Sequence, residues 1–239
     1  MRIAIVSDIH GNRTAFEAVL ADLKTAAPDL ILHGGDLADS GSSPIQIVDE
    51  IHALGWPGVM GNTDEMLIRP EALGEFASHS PALQPMFKML EEMAAHTRDA
   101  LGQGRLAWMA TLPKQQTLQT LALVHASPED LWRAPAPDMS GEGLQSLFAQ
   151  LARPVAVHAH IHRSYIRHLP QMIVANTGSV GLSYDGDRRA SYLLVTDGKP
   201  EIRRVEYDLN SELRALRKCG LPHYGWVERM LLEARPAMP

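Results

Sequence analysis

The chain has 239 residues, of which 45% are hydrophobic and 21% are charged, as in an ordinary globular protein with its own core. A net charge of −6 argues against acidic membrane surfaces, and against nucleic acid beyond nucleotides, as partners. The single cysteine, Cys219, excludes an intramolecular disulfide framework and a cysteine-rich zinc site. Because neither a signal peptide nor a membrane span is visible, we expect a cytoplasmic protein.

Strands and helices alternate in the first 60 residues. Apolar runs at 3–6 and 30–32 predict buried strands, and Asn12 is placed to cap a helix between them. Strand, helix and strand in this order form the βαβ unit of a parallel sheet. A second crossover helix is predicted at 44–54.

Residues 65–112 predict mostly helix, with an apolar face that includes Met86, Met89, Leu90 and Met93. We interpret these side chains as core packing and the segment as a helical insert or lid.

Most of the second half predicts strands. Buried strands are expected at 121–124 and 154–157, further strands at 165–169 and 172–175, and a hairpin at 191–195 with 202–207. Helices are predicted at about 142–151 and within about 208–235. We expect a single domain over 1–239.

Acid, amide and histidine side chains directly follow five of the apolar runs. Along an extended strand, residues i and i+2 point to the same side, so Asp8 and His10 could grip one metal ion. His160 and His162 repeat this spacing. Loops at the carboxyl ends of strands share one edge of an α/β sheet, and we expect seven side chains to converge there. They are Asp8, His10, Asp36, Asn62, His125, His160 and His162.

These donors favour two metal ions over one. The mixture of oxygen and nitrogen ligands suits manganese, iron, zinc, nickel or cobalt, and seven donors are too many for one tetrahedral site. The additional His158 lies one step back along its strand, and we interpret it as a buried structural histidine.

The motifs resemble the signature of calcineurin-like metallophosphoesterases. Those that carry the resemblance are, in chain order, Asp8-Ile-His10, Gly35-Asp36, Gly61-Asn62, His125 and His160-Ile-His162. The stretches 8–12 and 176–181 are similar to the small bacterial and archaeal phosphodiesterase branch. The resemblance implies an α/β protein with a four-layer αββα sandwich, in which two mixed β-sheets pack face to face between helices.

The resemblance also implies the ligand sets of two divalent metal ions, with manganese as the leading candidate. The first ion would be held by Asp8, His10 and His162, and the second by Asn62, His125 and His160, with Asp36 bridging both. Catalytic roles fall to Asp36, Asn62 and Asp64, the last as a supporting partner. The implied activity is hydrolysis of a small phosphate ester through attack by a metal-bridging hydroxide.

Thr63 departs from the family pattern, in which many members have a histidine that protonates the leaving group. A threonine hydroxyl does not donate a proton readily at pH 7, so we expect phosphodiesters or activated esters as substrates. His33 is a second candidate for supplying the proton. The alternative function is a scaffold or protein-binding module on the same fold with weak or no catalysis. Thr63 supports it, and the complete set of ligand positions opposes it.

Three residues are candidates for binding the substrate phosphate. Asn12 and Arg13 lie at a predicted helix N-terminus, where backbone N–H groups favour anions, and Thr63 follows a proposed ligand. The alternative for Asn12 and Arg13 is a helix cap and a solvated surface charge.

Overall fold

The computed structural model describes residues 1–78, 83–136 and 138–239, so 79–82 of the predicted insert lie outside the described residues. In these residues nine strands form two mixed sheets, accompanied by eight α-helices. The strands are β1 Arg2–Val6, β2 Leu30–His33, β3 Gln115–Thr117, β4 Leu121–Val124, β5 Val155–His158, β6 Tyr165–His168, β7 Ile173–Asn176, β8 Ala190–Thr196 and β9 Lys199–Val205. The helices are α1 Arg13–Ala26, α2 Pro44–Leu54, α3 Asn62–Ile68, α4 Glu71–Ala77, α5 Gln84–Met109, α6 Gly141–Phe148, α7 Leu209–Leu216 and α8 Tyr224–Glu233.

Each sheet combines parallel and antiparallel strands. The first sheet has the order β2-β1-β8-β9, in which β1 and β2 are parallel and β8 and β9 are antiparallel to their neighbours. The second has the order β3-β4-β5-β7-β6, with β4, β5 and β7 parallel and an antiparallel strand at each edge. The parallel pairs β1–β2 and β4–β5 bring their carboxyl ends, and the loops that follow, to one side of their sheets.

Alternation along the strands produces the predicted four layers. Ile3 and Ile5 of the first sheet pack with Leu123 and Val157 of the second, which forms the core between the sheets. The intervening residues face outward and meet helices: Ala4 and Val6 join a cluster with Phe16 of α1. On the other side, Ala122 and Val124 pack against Leu144 and Phe148 of α6. The αββα sandwich is confirmed.

Helices α3–α5 make up the described part of the predicted insert. They share an apolar cluster of their own that includes Leu67, Leu73, Phe87 and Leu101. Met93 of α5 packs instead with α7 and α8, so this helix links the insert to the C-terminal helices. Its burial confirms the packing interpretation for Met93. That 1–239 form one domain stays a prediction.

Two local features do not follow from the sequence pattern. β3 is not predicted because its residues are Gln-Gln-Thr, polar side chains at an exposed sheet edge. The apolar run that precedes Asn62, a short stretch at Val59-Met60 with no strand predicted, is joined to β2 by a parallel bridge between His33 and Gly58. No helix in the described part of the chain has the length and apolar character to cross a membrane.

Candidate metal centre

Both Asp/His-rich loops leave the extended conformation. β1 ends at Val6, and Asp8 and His10 have φ angles of 51° and 49°. His160 and His162, beyond the end of β5, have φ angles of 70° and 55°. The extended i, i+2 geometry predicted for these pairs is therefore wrong. Left-handed backbone, rare for residues other than glycine, brings the side chains together instead.

Hydrogen bonds hold the first loop against the one after β2. Asp8 N donates to Gly35 O and His10 N to Asp36 O, both at 3.0 Å, which extends the β1–β2 pairing past the strand ends. The buried Asp64 carboxylate ties the second loop: it accepts the N–H groups of Asp36 and Gly61 at 2.8 and 2.9 Å. Asp64 therefore positions Asp36 through the backbone, in line with the predicted supporting role.

The first cluster of donors consists of Asp8, His10, Asp36 and His162, whose ligand atoms all lie within 4.8 Å of one another. His162 Nε2 lies 3.3 Å from Asp8 Oδ1 and 3.1 Å from His10 Nε2. Asp36 Oδ2 is 3.6 Å from His10 Nε2. All four side chains are buried.

The second cluster shares Asp36 with the first and adds His125 and His160, again within 4.8 Å. His125 Nε2 lies 3.5 Å from Asp36 Oδ2. The amide oxygen of Asn62 is 2.9 Å from His125 Nε2 and 2.8 Å from His160 Nδ1. The structure thus brings all seven predicted donors into two groups that meet at Asp36.

Three imidazoles are oriented by backbone carbonyls. The Nδ1 atoms of His10, His125 and His162 lie 3.0, 2.7 and 2.6 Å from the carbonyl oxygens of Asp39, Gly34 and Leu182. A carbonyl oxygen only accepts, so each Nδ1 carries the hydrogen and each Nε2 of a neutral ring presents its lone pair to the cluster. The facing Nε2 atoms of His10 and His162 then repel unless a cation lies between them. The donor set fits divalent metal ions.

In the second cluster, the buried Asp36 and His125 carry opposite charges and shift each other's pKa. Burial is the largest single influence on the pKa of Asp36 and raises it, but the charge and hydrogen bond of His125, together with the charges of His10 and His160, outweigh burial and hold the pKa well below its usual value. Burial likewise lowers the pKa of His125, but the Asp36 carboxylate, with smaller contributions from Asp8 and the Gly34 carbonyl, outweighs burial and raises the pKa to about 9. A proton on His125 therefore occupies the place that a metal ion would take.

A cavity of about 520 Å³ opens beside this centre, and we call it the site cavity. One part of its lining consists of His10, Asp36, Asn62, Thr63, His160 and His162. The other part is largely apolar and includes Met86 and Leu90 of α5 and Trp226 and Met230 of α8. The methionine face of α5 thus lines a pocket at Met86, in addition to packing elsewhere.

The three predicted phosphate-binding residues lie in different surroundings. Thr63 lines the site cavity, and its buried hydroxyl has no hydrogen-bond partner among the described residues. Asn12 caps α1 by accepting from Ala15 N, and its amide nitrogen donates to Gly181 O. Arg13 forms an exposed ion pair with Glu17. Neither Asn12 nor Arg13 lines the site cavity, which favours the alternative of a cap and a surface charge.

The two histidines outside the clusters are buried. His158 bonds to the Tyr165 hydroxyl at 2.6 Å, which confirms the interpretation as a structural histidine. His33 packs its ring against Gly58 and does not line the site cavity, so the structure gives it no path to a leaving group.

Sequence reasoning did not find Tyr184, whose ring stacks on His162 with centroids 4.5 Å apart and lines the site cavity. It also missed the C-terminal lining at Pro236, Ala237 and Met238. The turn at 176–181 precedes Tyr184 closely in the chain, but it predicts nothing about the contact with His162. The remaining contacts arise from how α8 and the following segment pack.

The fold and the centre together define a class. Two mixed sheets between helices, with a buried Asp/His cluster where their loops meet, are the architecture of a metallophosphoesterase. The chain belongs to the calcineurin-like phosphoesterase superfamily, whose domain model matches residues 1–199. Membership implies metal-dependent hydrolysis of phosphate esters, as the motifs predict.

Relatives cover nearly the whole chain. A metallophosphoesterase from Sphaerobacter thermophilus superposes with a TM-score of 0.80 at 26% identity, covering 98% of this chain and 99% of its own. A hypothetical protein from Pyrococcus horikoshii gives a TM-score of 0.84 at 18% identity, covering 99% of both chains, and shows the shared fold. An uncharacterised protein of Methanocaldococcus jannaschii is 28% identical over 96% of this chain and 97% of its own length.

Proposed function

We propose that the protein is a phosphodiesterase with a centre for two divalent metal ions. The observation that carries the proposal is the sharing of Asp36 by two donor clusters, because a bridging carboxylate is how two ions share one site. In the proposal, Asp8, His10 and His162 hold one ion and Asn62, His125 and His160 hold the other. Manganese is the first ion to test, and the donor set also suits iron, zinc, nickel and cobalt.

The residues divide the work of hydrolysis among them. When bound, two such ions would supply an activated water and offset the charge of the phosphate oxygens. The Asp64 carboxylate accepts a hydrogen bond from the backbone N–H of Asp36 and so keeps Asp36 in place. Thr63 lines the cavity with its hydroxyl buried and unpartnered among the described residues, and in the proposal a rotation about χ1 turns this hydroxyl toward a phosphate oxygen.

Good leaving groups are favoured because, among the described residues that line the site cavity, no side chain other than the proposed metal ligands protonates a leaving group readily, and the motif resemblance adds the preference for diesters. In hydrolysis, water adds across one P–O bond, so that a diester yields a monoester and an alcohol. Thr63 does not protonate the departing alcohol readily, and His33 is buried away from the cavity. Good leaving groups, such as nitrophenolate, therefore suit this site.

The test measures metal content and turnover on the same protein. We expect about two metal ions per chain by elemental analysis, and faster hydrolysis of bis(4-nitrophenyl) phosphate than of 4-nitrophenyl phosphate. Asp36→Asn should lose at least about 100-fold in kcat/KM, because it removes the bridging charge. Tight metal binding without turnover of any ester, in the wild type and Asp36→Asn alike, would contradict the proposal and favour a scaffold.

A further inference from the structure

The site cavity has a charge pattern that restricts its substrate. Of the residues that the structure describes, no lysine or arginine lines it. Arg163 and Arg235 line a separate opening of about 530 Å³, which shares Tyr184 and Pro236 with the site cavity. Each phosphate of a polyphosphate needs its own cationic partners. Because the metal centre would supply the cations of the site cavity, the cavity accommodates only one phosphate.

The lining away from the metal centre is apolar. We call Met86, Leu90, Trp226, Met230 and Met238 the apolar wall. Trp226 Nε1 donates to Ala237 O at 2.7 Å, so the polar atom of this ring is already used. The Tyr184 hydroxyl, beside the wall, is directed to Met230 Sδ at 3.4 Å. What remains for a ligand is carbon and sulfur surface.

The composition of the wall suits a hydrophobic group of adjustable shape. Three of its five residues are methionines, whose unbranched and polarizable side chains adapt to flat rings and to alkyl chains. The cavity volume of about 520 Å³ lies within the usual range of small-molecule sites.

We infer that the site cavity binds a singly charged phosphodiester, with its phosphate at the metal centre and an aromatic or alkyl ester group against the apolar wall. The inference rests on the proposed phosphodiesterase function and narrows its substrate class. It argues against dinucleoside polyphosphates and phosphoproteins, which carry further charges or a polar backbone into the cavity.

The test compares diesters with a common 4-nitrophenolate leaving group and different second ester groups. The wild type should hydrolyse phenyl 4-nitrophenyl phosphate with a kcat/KM at least about 10-fold above that of methyl 4-nitrophenyl phosphate, after correction for intrinsic reactivity. The 4-carboxyphenyl analogue has the same ring and one more charge, and it should fall below the phenyl ester. A higher kcat/KM for the 4-carboxyphenyl ester than for the phenyl ester would overturn the inference. It would indicate that Arg163 and Arg235 contact the second ester group.

A variant pair on α5 locates the effect. Met86→Ala should lower the phenyl-to-methyl ratio at least about fourfold, the effect of losing one buried methylene group. Met89→Ala removes the same atoms from a methionine of the same helix that does not line the cavity, so its ratio should match the wild type. Equal ratios in the two variants would overturn the inference.

Failure of the inference and failure of the proposed function give different results. Hydrolysis of the phenyl and methyl diesters with equal kcat/KM overturns the inference that the apolar wall binds the ester group. It leaves the proposed phosphodiesterase function supported. No turnover of any diester by the metal-loaded protein contradicts the proposed function. In that case calorimetry with diphenyl and dimethyl phosphate still decides the inference: tighter binding of diphenyl phosphate supports it, and equal affinities overturn it.

Discussion

The orientation of single histidines carries much of the argument for a metal centre. His10, His125 and His162 come from three different loops, yet each donates Nδ1–H to a backbone carbonyl. The segments that carry these carbonyl groups are themselves held by backbone hydrogen bonds. Gly34, which accepts from His125, donates its own N–H to Val6 O. The Nε2 atoms are therefore fixed in direction before any ion binds, which reduces the reorganisation needed for binding.

Five of the proposed ligands have strained backbone conformations, and hydrogen bonds between loops offset part of the strain. Asp8, His10, Asp36, His160 and His162 all have φ between 49° and 70°, a conformation that costs about 1–2 kcal/mol for a residue with a Cβ. The loop-to-loop bonds at Asp8 and His10 offset part of this cost. Residues kept in such conformations cluster at functional sites, in agreement with a metal centre here.

His33 provides a residue-scale prediction for the pH dependence of stability. Both of its ring nitrogens are buried and lack hydrogen-bond partners within the described residues, and burial lowers its pKa to about 4. Between about pH 6.5 and pH 4 the unfolded chain binds a proton that the folded protein does not. The free energy of unfolding therefore falls as the pH falls, by about 1–2 kcal/mol from pH 7 to pH 5 on account of this residue.

Urea unfolding of His33→Leu at pH 7 and pH 5, in EDTA, checks this expectation. The variant should lose about 1–2 kcal/mol less than the wild type on acidification. At pH 7 it should be no less stable, because an unpartnered polar ring is replaced by an apolar side chain. His168→Leu, at an exposed position of β6, is the control and should follow the wild type. The prediction is wrong if His33→Leu loses as much stability as the wild type.

At the scale of elements, the loops after β1 and β2 are packed backbone against backbone. A Cβ added at Gly41 would lie 1.9 Å from His10 O and 2.5 Å from the carbonyl carbon of Gly11. Gly41 has no positive φ, so the reason for glycine here is space alone. The loop after β2 can approach the proposed ligand His10 this closely only without a side chain.

Gly41→Ala is therefore expected to displace the backbone at His10 and weaken metal binding about 10–100-fold, as for other losses of support around metal ligands. Overpacking should also lower the free energy of unfolding by about 1–3 kcal/mol. Gly74→Ala on α4, where an added Cβ meets nothing within 4 Å, is the matched control and should bind metal as the wild type does. Titration with manganese measures both, and wild-type affinity in Gly41→Ala would contradict the steric argument.

Sequence patterns predict the layers better than they predict the loops. The continuous apolar run at 3–6 predicts a strand buried on both faces, and the structure has Ile3 and Ile5 between the sheets and Ala4 against α1. Extended periodicity fails at Asp8 and His10, where hydrogen bonds to a neighbouring loop stabilise left-handed backbone. Sequence patterns also do not predict that Tyr184 and Met238 line the site cavity, since their positions depend on the tertiary packing of the C-terminal helices.

At the scale of the molecule, the centre joins the two sheets. Asp8, His10 and Asp36 follow strands of the first sheet, whereas His125, His160 and His162 follow strands of the second. Each cluster contains donors from both sheets. A bound ion would therefore connect the two halves of the sandwich, in addition to the apolar core between them.

Metal removal should consequently lower the thermal stability of the whole fold. Any ligand that binds only the folded state stabilises it, by about 2.7 kcal/mol at a concentration 100-fold above its Kd. For a chain of this size that corresponds to a rise in Tm of about 5–10 °C in manganese relative to EDTA, measured by calorimetry. Because His125 must give up its proton, the rise should be smaller at pH 6 than at pH 8.

Two aspartate variants separate this linkage from a general effect of salt. Asp36→Asn removes the carboxylate common to both clusters and should abolish most of the rise in Tm. Asp187→Asn changes the same group near the surface, where it pairs with Arg189, and should retain the rise. An equal response in the two variants would mean that manganese stabilises the protein without binding between the sheets. A response confined to chains with Asp36 intact would place the ion at the residue where both donor clusters meet.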